Sequence, residues 1–505
     1  MWRSLLVLCV SGVLAVNITV AAEAEPASPP ARPNIVVIVA DDLGYGGLSC
    51  CGGDLETPQI DALAKSGVRF TNGYVSCPVC SPTRAGLLTG RYQQRFGHEF
   101  NPGPPSDASI TFGLPLTEVT IADRLKAAGY TTGMFGKWHL GHDRERLPLG
   151  RGFVEFFGFP GGAHSYVKSM VGTPNAILRG NEPVDEKEYL TDALSREAVA
   201  FVDRHGKDSN PFFLYLPYNA VHTPMEAPEK YMERFGKIQD PVRRKHAAML
   251  AAMDDGVGAV MASLRKHNLE EKTLIFFFSD NGGPTLSNTS SNKPLRGYKG
   301  QVLEGGIRIP YMVAWKGHLP AGKVDDRPVI QLDIMPTALA AAGGSLPTDR
   351  PIDGVNLMPY LTGKKSDAPH EALFWRLGAQ AAVRQGGWKL VRREDAPGDA
   401  EPAPARKRKS QAADDEAGVV GIDGIGPPGI VQLYNLAADI HEDKNLADEH
   451  PEKVKALSAA LDAWEAQLAK PLWQGKAKFR ADGDSQASES KRAKNAPARA
   501  KRKQP

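Results

Sequence analysis

The chain has 505 residues, of which 42% are hydrophobic and 24% charged, and its formal net charge at pH 7 is +3. It exceeds the size at which one hydrophobic core stops growing, so we expect a large domain and a smaller one. Five cysteines over this length exclude a small fold held together by disulfides.

The N-terminus has the pattern of an export signal. Basic Arg3 precedes an apolar run at 5–16, and small residues follow at 21–24. The run is too short to span a bilayer, and the small residues fit a cleavage site, so residues 1–24 are predicted to be a signal peptide. No later segment is long and apolar enough for a membrane span. We therefore expect a periplasmic or secreted protein without a membrane span.

Short apolar runs alternate with helical patterns from residue 33 to about 361. Continuous apolar, β-branched runs are typical of parallel strands buried on both faces. Strands that alternate with helices predict an α/β fold, in which helices cover both faces of the sheet. The predicted strands are 35–39, 130–135, 212–216 and 274–278, and a helical pattern at 121–128 precedes the second.

The pattern changes after Leu361. Short strands separated by turns predict a smaller C-terminal subdomain at 366–470 that contains an antiparallel sheet and a helix. A segment rich in Ala, Pro, Gly and charge predicts a mobile insertion at 394–428. The basic tail at 476–505 is interpreted as disordered and solvated, so no nucleic-acid partner is expected. The predicted strands are 371–375, 381–383, 388–391 and 431–436, and the predicted helix is 451–468.

Acidic residues follow two of the predicted strands. Asp41 and Asp42 follow the first strand, and Asp280 and Asn281 follow the strand at 274–278. Ligands of α/β sheets bind beyond the carboxyl ends of the strands. Oxygen ligands in this number suit Ca²⁺, with Mg²⁺ possible, better than zinc. Helix capping and turn formation are the alternative for either pair alone.

Proton donors and cations follow the other two strands. Lys137 and His139 follow the strand at 130–135, and His222 follows the strand at 212–216. Any one of them could be an ordinary surface or core residue. Together they indicate an anionic substrate beside the metal.

Cys80 lies where a helix is predicted to begin. Ser81 is a plausible N-cap, Pro82 fits the first helical position and Gly90 fits a helix terminator. The free N–H groups and the dipole at a helix N-terminus favour negative charge. The same environment suits a redox thiol, and Cys77 completes a C-x-x-C pattern, so a thiol-disulfide protein is an alternative.

The segment from Cys80 to Gly90 resembles the signature of type I sulfatases. Cys80, Pro82 and Arg84 are followed by Thr89 and Gly90 in the spacing of that family, which includes arylsulfatases and glycosaminoglycan sulfatases of the alkaline phosphatase superfamily. Further segments resemble the family at 34–44, 136–141, 279–282, 295–310 and 433–447. The resemblance implies a large, mixed and mostly parallel sheet between helices, with a smaller antiparallel sheet near the C-terminus.

The resemblance also implies roles for individual residues. Cys80 would be oxidised to formylglycine and Arg84 would support its hydrated form. Positions that match those holding sulfate and handling protons are Lys137, His139, His222 and Lys299. His164 is a further substrate-binding candidate, although the spacing around it departs from the family. The implied metal ligands are Asp41, Asp42, Asp280, Asn281 and the converted Cys80.

The function implied is removal of sulfate from a sulfated polysaccharide, an oligosaccharide or an aryl sulfate. The chain would need a formylglycine-generating or sulfatase-maturing enzyme as a partner. A phosphodiester or phosphonate monoester hydrolase of the same superfamily is the nearest alternative, and a polyanion-binding protein that uses the basic tail is another. Residues 91–101 either line the approach to the site or form an ordinary loop after the helix.

Overall fold

The computed structural model describes residues 32–103, 106, 109–394 and 429–474. The predicted signal peptide and basic tail lie outside the described residues. So does the predicted insertion, except for its first residue.

The strands and helices of the described part alternate over most of the chain. The strands are β1 (Asn34–Ala40), β2 (Val68–Phe70), β3 (Gly73–Tyr74), β4 (Thr131–Lys137), β5 (Glu155–Phe159), β6 (Leu178–Arg179), β7 (Glu182–Pro183), β8 (Phe212–Pro217), β9 (Thr273–Ser279), β10 (Tyr311–Ala314), β11 (Lys323–Asp325), β12 (Val329–Ile330), β13 (Ala372–Leu377), β14 (Gln380–Gln385), β15 (Trp388–Arg393) and β16 (Val431–Asn435). The α-helices are α1 (Pro58–Lys65), α2 (Cys80–Thr89), α3 (Ile121–Ala127), α4 (Leu190–His205), α5 (Glu229–Met232), α6 (Pro241–Lys266), α7 (Glu304–Ile307), α8 (Ile334–Ala341), α9 (Met358–Leu361) and α10 (Pro451–Glu465).

Ten of these strands form one mixed sheet in the order β11-β2-β10-β9-β1-β8-β4-β5-β6-β7. The five central strands, from β9 to β5, pair in parallel. Their carboxyl ends therefore lie at the same edge of the sheet, where α/β proteins bind ligands. This confirms the predicted α/β class with a large, mostly parallel sheet.

Each face of this sheet is covered by its own apolar core. Alternate residues of β1 point to opposite faces, so Val36 and Ile38 pack with α4 and α6, while Ile35 and Val37 pack with α2 and α8. All four side chains are essentially inaccessible to water. Burial on both faces explains why the strand is one continuous apolar run.

The second sheet is antiparallel, in the order β13-β14-β15-β16, and α10 packs on it. Leu461 and Trp464 of the helix share a core with Trp375 and Leu390 of this sheet. Tyr74 and Leu332 from earlier in the chain join the same core. The separate sheet confirms the predicted C-terminal α+β element, while the proposed domain boundaries stay a prediction.

Helix α6 differs from the sequence-based expectation that no segment could span a membrane. The helix is long enough to cross a membrane, and its most apolar 18 residues have a mean hydropathy of 1.3. However, 72% of that stretch is buried inside the protein. A helix enclosed in this way is typical of the core of a globular domain.

Candidate active site

The carboxyl ends of β1 and β9 bring acidic side chains together. Asp41 and Asp42 follow β1 directly, and Asp280 follows β9, which is parallel to β1. The backbone N–H of Asp280 donates to the carbonyl of Ala40 at 3.0 Å, so the parallel pairing continues into the site. All three carboxylates are buried.

Lys137 reaches the same edge because β4 comes close to β8. It is the last residue of β4, which extends two residues beyond the predicted strand. The preceding Gly136 has φ +142°, and a Cβ there would lie 1.9 Å from the carbonyl oxygen of Pro217. Only glycine allows this approach of the two strand ends.

Each buried carboxylate is paired with a cation. The Nζ of Lys137 lies 2.6 Å from Asp41 Oδ2, and the Nζ of Lys299 lies 2.8 Å from Asp42 Oδ1. Arg84 donates to Asp280 Oδ2 from Nε at 3.0 Å and from Nη2 at 2.7 Å. Buried charges need such pairing, because an isolated charge is very costly away from water.

The pKa values of the two adjacent aspartates move in opposite directions. Burial, with the nearby Asp280 carboxylate, raises the pKa of Asp41 to about 7. Burial would also raise the pKa of Asp42, but Lys299 and His222 outweigh it and lower this pKa to about 2. A cation bound beside Asp41 would favour its charged form against the effect of burial.

Helix α2 begins at Cys80, two residues before Pro82, which was predicted to be its first residue. Ser81 is therefore not the N-cap, and its side chain does not cap the helix. Its Oγ donates to the carbonyl of His139 at 2.6 Å and lies 2.7 Å from Nε2 of His98, while its N–H donates to Asn101 Oδ1 at 3.0 Å. These bonds fix the start of the helix.

Cys80 faces the carboxylates. Its Sγ lies 3.6 Å from Asp41 Oδ1, and burial raises its pKa well above the ordinary value, although Lys137 and Lys299 oppose the shift. Cys77 instead packs in an apolar cluster with Val79, and both thiols are free. A redox-active cysteine needs a lowered pKa, so the surroundings of Cys80 disfavour the thiol-disulfide alternative.

The carboxylate and amide oxygens of the cluster fit a hard divalent cation, whereas its sulfur and ring nitrogen are softer donors. Oxygens of Asp41 and Asp42, with the Cys80 sulfur and a His222 ring nitrogen, lie within 4.8 Å of one another. Asn281 donates from Nδ2 to Asp42 Oδ1 at 2.6 Å, while its buried Oδ1 has no partner among the described residues. An unpartnered amide oxygen beside carboxylates is a ligand that Ca²⁺ and Mg²⁺ accept.

His222 has a defined protonation pattern. Its Nδ1 lies 2.7 Å from the carbonyl oxygen of Thr223, which can only accept, so Nδ1 carries a proton. Its Nε2, 3.6 Å from Asp42 Oδ2, is then the atom that gains or loses a proton. Burial and Lys299 lower the pKa of His222 to about 3.

His139 is buried beside the same charges and has φ +59°. Burial, with Lys137 and Arg84 nearby, lowers its pKa well below the ordinary value. In the part of the chain that the structure describes, its Nδ1 has no hydrogen-bond partner. A neutral imidazole with an unpartnered ring nitrogen can accept a proton.

His164 is placed differently from the other candidates. Its Nδ1 lies 2.5 Å from the carbonyl oxygen of Ser165, its ring contacts Phe159, and its Nε2 has no hydrogen-bond partner within the described ranges. Within the described residues, none of these hydrogen-bond and ring contacts joins it to the charged cluster. Gly162, two residues earlier, does lie against the ring of His139.

Residues 91–101 form internal contacts. Arg91 pairs with Glu118 at 2.6 Å and Arg95 with Asp353 at 2.7 Å, so neither guanidinium is without a carboxylate partner. His98 and Asn101 support Ser81 instead. Sequence reasoning named this segment but missed these two supporting roles, because they depend on contacts across a turn that spacing does not reveal.

Comparison with known proteins identifies relatives of the chain. Residues 33–345 match the family model described as Sulfatase. Human N-acetylgalactosamine-6-sulfatase is 36% identical over 366 residues, which are 67% of this chain and 68% of that protein. The solved structure of Ps i-CgsB in complex with k-i-k-neocarrahexaose is 34% identical, with a TM-score of 0.77, over 90% of this chain and 98% of that one.

A more distant structure shares the fold alone. The phosphonate monoester hydrolase SpPMH from Silicibacter pomeroyi is 19% identical, with a TM-score of 0.61, over 87% of this chain and 96% of that one. The expected alkaline-phosphatase-like architecture is confirmed by the structural relatives.

Proposed function

The chain belongs to the sulfatase family and is a sulfuric ester hydrolase, and on this premise we propose that it removes sulfate from a sulfated polysaccharide or oligosaccharide. We further propose that Cys80, converted to formylglycine, and a divalent cation, with calcium preferred to magnesium, take part. The observation that carries the proposal is the buried cluster in which three carboxylates and three cations surround Cys80.

The residues that would hold the cation are Asp41, Asp42, Asp280 and Asn281, beside the converted Cys80. When present, the cation supplies neutralisation of negative charge and formylglycine supplies, as its hydrate, an oxygen nucleophile. The unpartnered Oδ1 of Asn281 and the raised pKa of Asp41 both support a cation at this place.

Lys137 and Lys299 would bind the sulfate group. In the described structure they neutralise Asp41 and Asp42. When those carboxylates serve as ligands, the two ammonium groups can turn to an anionic substrate. Fixed cations in a dry site stabilise the charge of the transferred group, an effect that is usually the largest in such catalysis.

Arg84 would hold Asp280 and the start of α2 in place. It binds Asp280 through two nitrogens and the carbonyl of Lys137 through a third, at 3.1 Å. These bonds connect the metal-binding edge with the strand that carries Lys137. Loss of Arg84 would leave the buried Asp280 without its cation.

His222 and His139 would transfer protons. The negative charge of a bound sulfate ester favours the protonated form of His222, whose Nε2 could then protonate the departing alcohol. His139 is neutral and has an unpartnered Nδ1, so it could take a proton from the hydrated nucleophile. His164, near His139 through Gly162, would contact the remainder of the substrate.

The relatives support a glycan as the substrate class. One is named for N-acetylgalactosamine-6-sulfate, and another was solved with a neocarrahexaose. The N-terminal pattern supports a periplasmic or secreted location, which suits a polymeric substrate. Cell fractionation of the expressed full-length chain tests the location, and recovery only in the cytosol would contradict it.

Turnover of matched substrates tests the reaction. The chain, co-expressed with a sulfatase-maturing enzyme, should hydrolyse an aryl sulfate and a panel of position-defined sulfated oligosaccharides. It should do so much faster than the matched aryl phosphate or phosphonate ester. Faster cleavage of the phosphorus esters would favour the phosphonate hydrolase alternative, which at present rests on fold similarity alone.

A further inference from the structure

The hairpin formed by β13 and β14 reaches from the second sheet to the loop that carries Lys299. Gln380, the first residue of β14, is completely buried. Its Nε2 donates to the carbonyl of Gly300 at 3.0 Å, and its Oε1 accepts from the N–H of Val302 at 3.2 Å. One side-chain amide thus holds two backbone groups of the loop.

Two backbone hydrogen bonds tie Lys299 and the next residue to other segments of the site. The N–H of Lys299 donates to Gly283 at 3.3 Å, and the N–H of Gly300 donates to Pro78 at 2.9 Å. Gly300 has φ +89°, so the chain turns sharply at this residue. The bond from Gln380 to the Gly300 carbonyl fixes the peptide that follows Lys299.

The same hairpin supports the chain on the other side of the site. Leu377, at the end of β13, packs with Cys77 and Val79 just before Cys80. Because Gly300 is hydrogen-bonded to Pro78, the two segments also contact each other. The hairpin therefore supports both the nucleophile segment and the segment of Lys299.

We propose that Gln380 is a positioning residue, which sets the place of Lys299 by holding the carbonyl of Gly300 and the N–H of Val302. This inference rests on the proposed role of Lys299 in binding sulfate. The Nζ of Lys299 sits 2.8 Å from Asp42 Oδ1, at the end of a long side chain whose reach depends on its backbone. A shift of about 1 Å in such a group can cost roughly 100-fold in rate.

Gln380→Leu tests the inference because it removes both hydrogen bonds at nearly constant volume. We expect kcat/KM for an aryl sulfate to fall about 10- to 100-fold in the full, matured chain. Gln385→Leu is the matched control, since Gln385 lies at the other end of β14 and its side chain donates to Glu371, away from the loop of Lys299, at 3.3 Å. It should keep the wild-type kcat/KM.

A double-mutant comparison separates positioning from a merely structural effect. If Gln380 acts through Lys299, then adding Gln380→Leu to Lys299→Met should change kcat/KM by less than about twofold. The isosteric Gln380→Glu, which lacks the amide donor, provides the same comparison if the leucine variant fails to fold. Thermal unfolding monitors folding of each variant.

The outcomes distinguish this inference from the proposed function. Gln380→Leu could lower kcat/KM by the same factor in the wild-type and the Lys299→Met proteins, or lower it in neither. Either result would overturn the positioning role and leave the sulfatase mechanism intact. Normal turnover by Lys299→Met alone would overturn both the role of Lys299 and the inference built on it.

Discussion

The amide of Asn281 uses its two ends differently. Its Nδ2 donates to Asp42 at 2.6 Å, whereas its Oδ1 is buried without a partner among the residues that the structure describes. A buried acceptor left unbonded is costly, so it needs a partner that these residues do not supply. A divalent cation between Asn281 and the neighbouring aspartates satisfies this need.

Replacing Asn281 by Ala should weaken calcium binding by about tenfold or more (~1.4 kcal/mol), because a ligand oxygen is lost. The measurement is the rise in melting temperature of chelator-treated protein when calcium is added. Asn445→Ala, which removes an acceptor for Leu433 N–H in the C-terminal part, should keep the full calcium-induced rise. An unchanged rise in Asn281→Ala would contradict the assignment.

His370 provides a pH-dependent contribution to stability. Burial alone would lower its pKa, but the Asp333 carboxylate, 2.8 Å from Nε2, outweighs burial and raises the pKa. Because the pKa of His370 is higher in the folded than in the unfolded protein, its protonated form stabilises the fold. This stabilisation is fully present below the unfolded-state pKa of about 6.5. This stability is lost as the pH rises through the folded-state value.

His370→Gln should therefore destabilise the protein by about 1–3 kcal/mol near pH 5.5 and by less near pH 9. Urea unfolding at both pH values measures the difference. His318→Gln serves as a control, since this ring stacks on Trp315 instead of pairing with Asp333. A larger loss in His370→Gln at the higher pH would refute the ion pair.

Helix α7 and the second sheet are joined by a buried ion cluster. The Nζ of Lys389 on β15 lies 2.9 Å from Glu304 and 2.8 Å from Glu442. Tyr74 also donates to Glu304 at 2.7 Å. Glu304 follows the loop of Lys299, so this cluster anchors the loop that Gln380 also holds.

Lys389→Met should lower the free energy of unfolding by about 3–5 kcal/mol, because two buried carboxylates lose their shared cation. Lys316→Met removes an exposed pair with Glu270 and should cost less than about 1 kcal/mol. Denaturant unfolding of both variants checks the contrast. Equal costs would mean that the buried cluster adds no stability beyond a surface pair.

The elements that sequence predicted best are those with strong local signals. Four of the five central parallel strands were predicted, and for β1, β8 and β9 the signal was the continuous apolar run that burial on both faces produces. Gly90 ends α2 with φ +66° as expected. Ser81 was wrongly assigned as a cap because its side chain is taken by His98 and His139. Such tertiary partners outweigh local capping preference.

At the scale of the whole molecule, the site is assembled from distant parts of the chain. Motifs at strand ends indicated most of its residues, since parallel strands end at one edge. The role of Gln380 was not predictable, because β14 has no motif and reaches Gly300 only through packing of the second sheet. Contacts between the two sheets depend on how their side chains pack together, and the spacing of residues along the chain does not indicate this packing.

The central claim is that Cys80 is converted to the nucleophile. Cleavage after Arg69 and Arg84 releases the peptide 70–84, which contains both Cys77 and Cys80. Mass spectrometry of alkylated, active enzyme should find Cys77 alkylated and Cys80 as the aldehyde, with its sulfur lost. Active enzyme in which both cysteines retain sulfur and are alkylated would contradict the account.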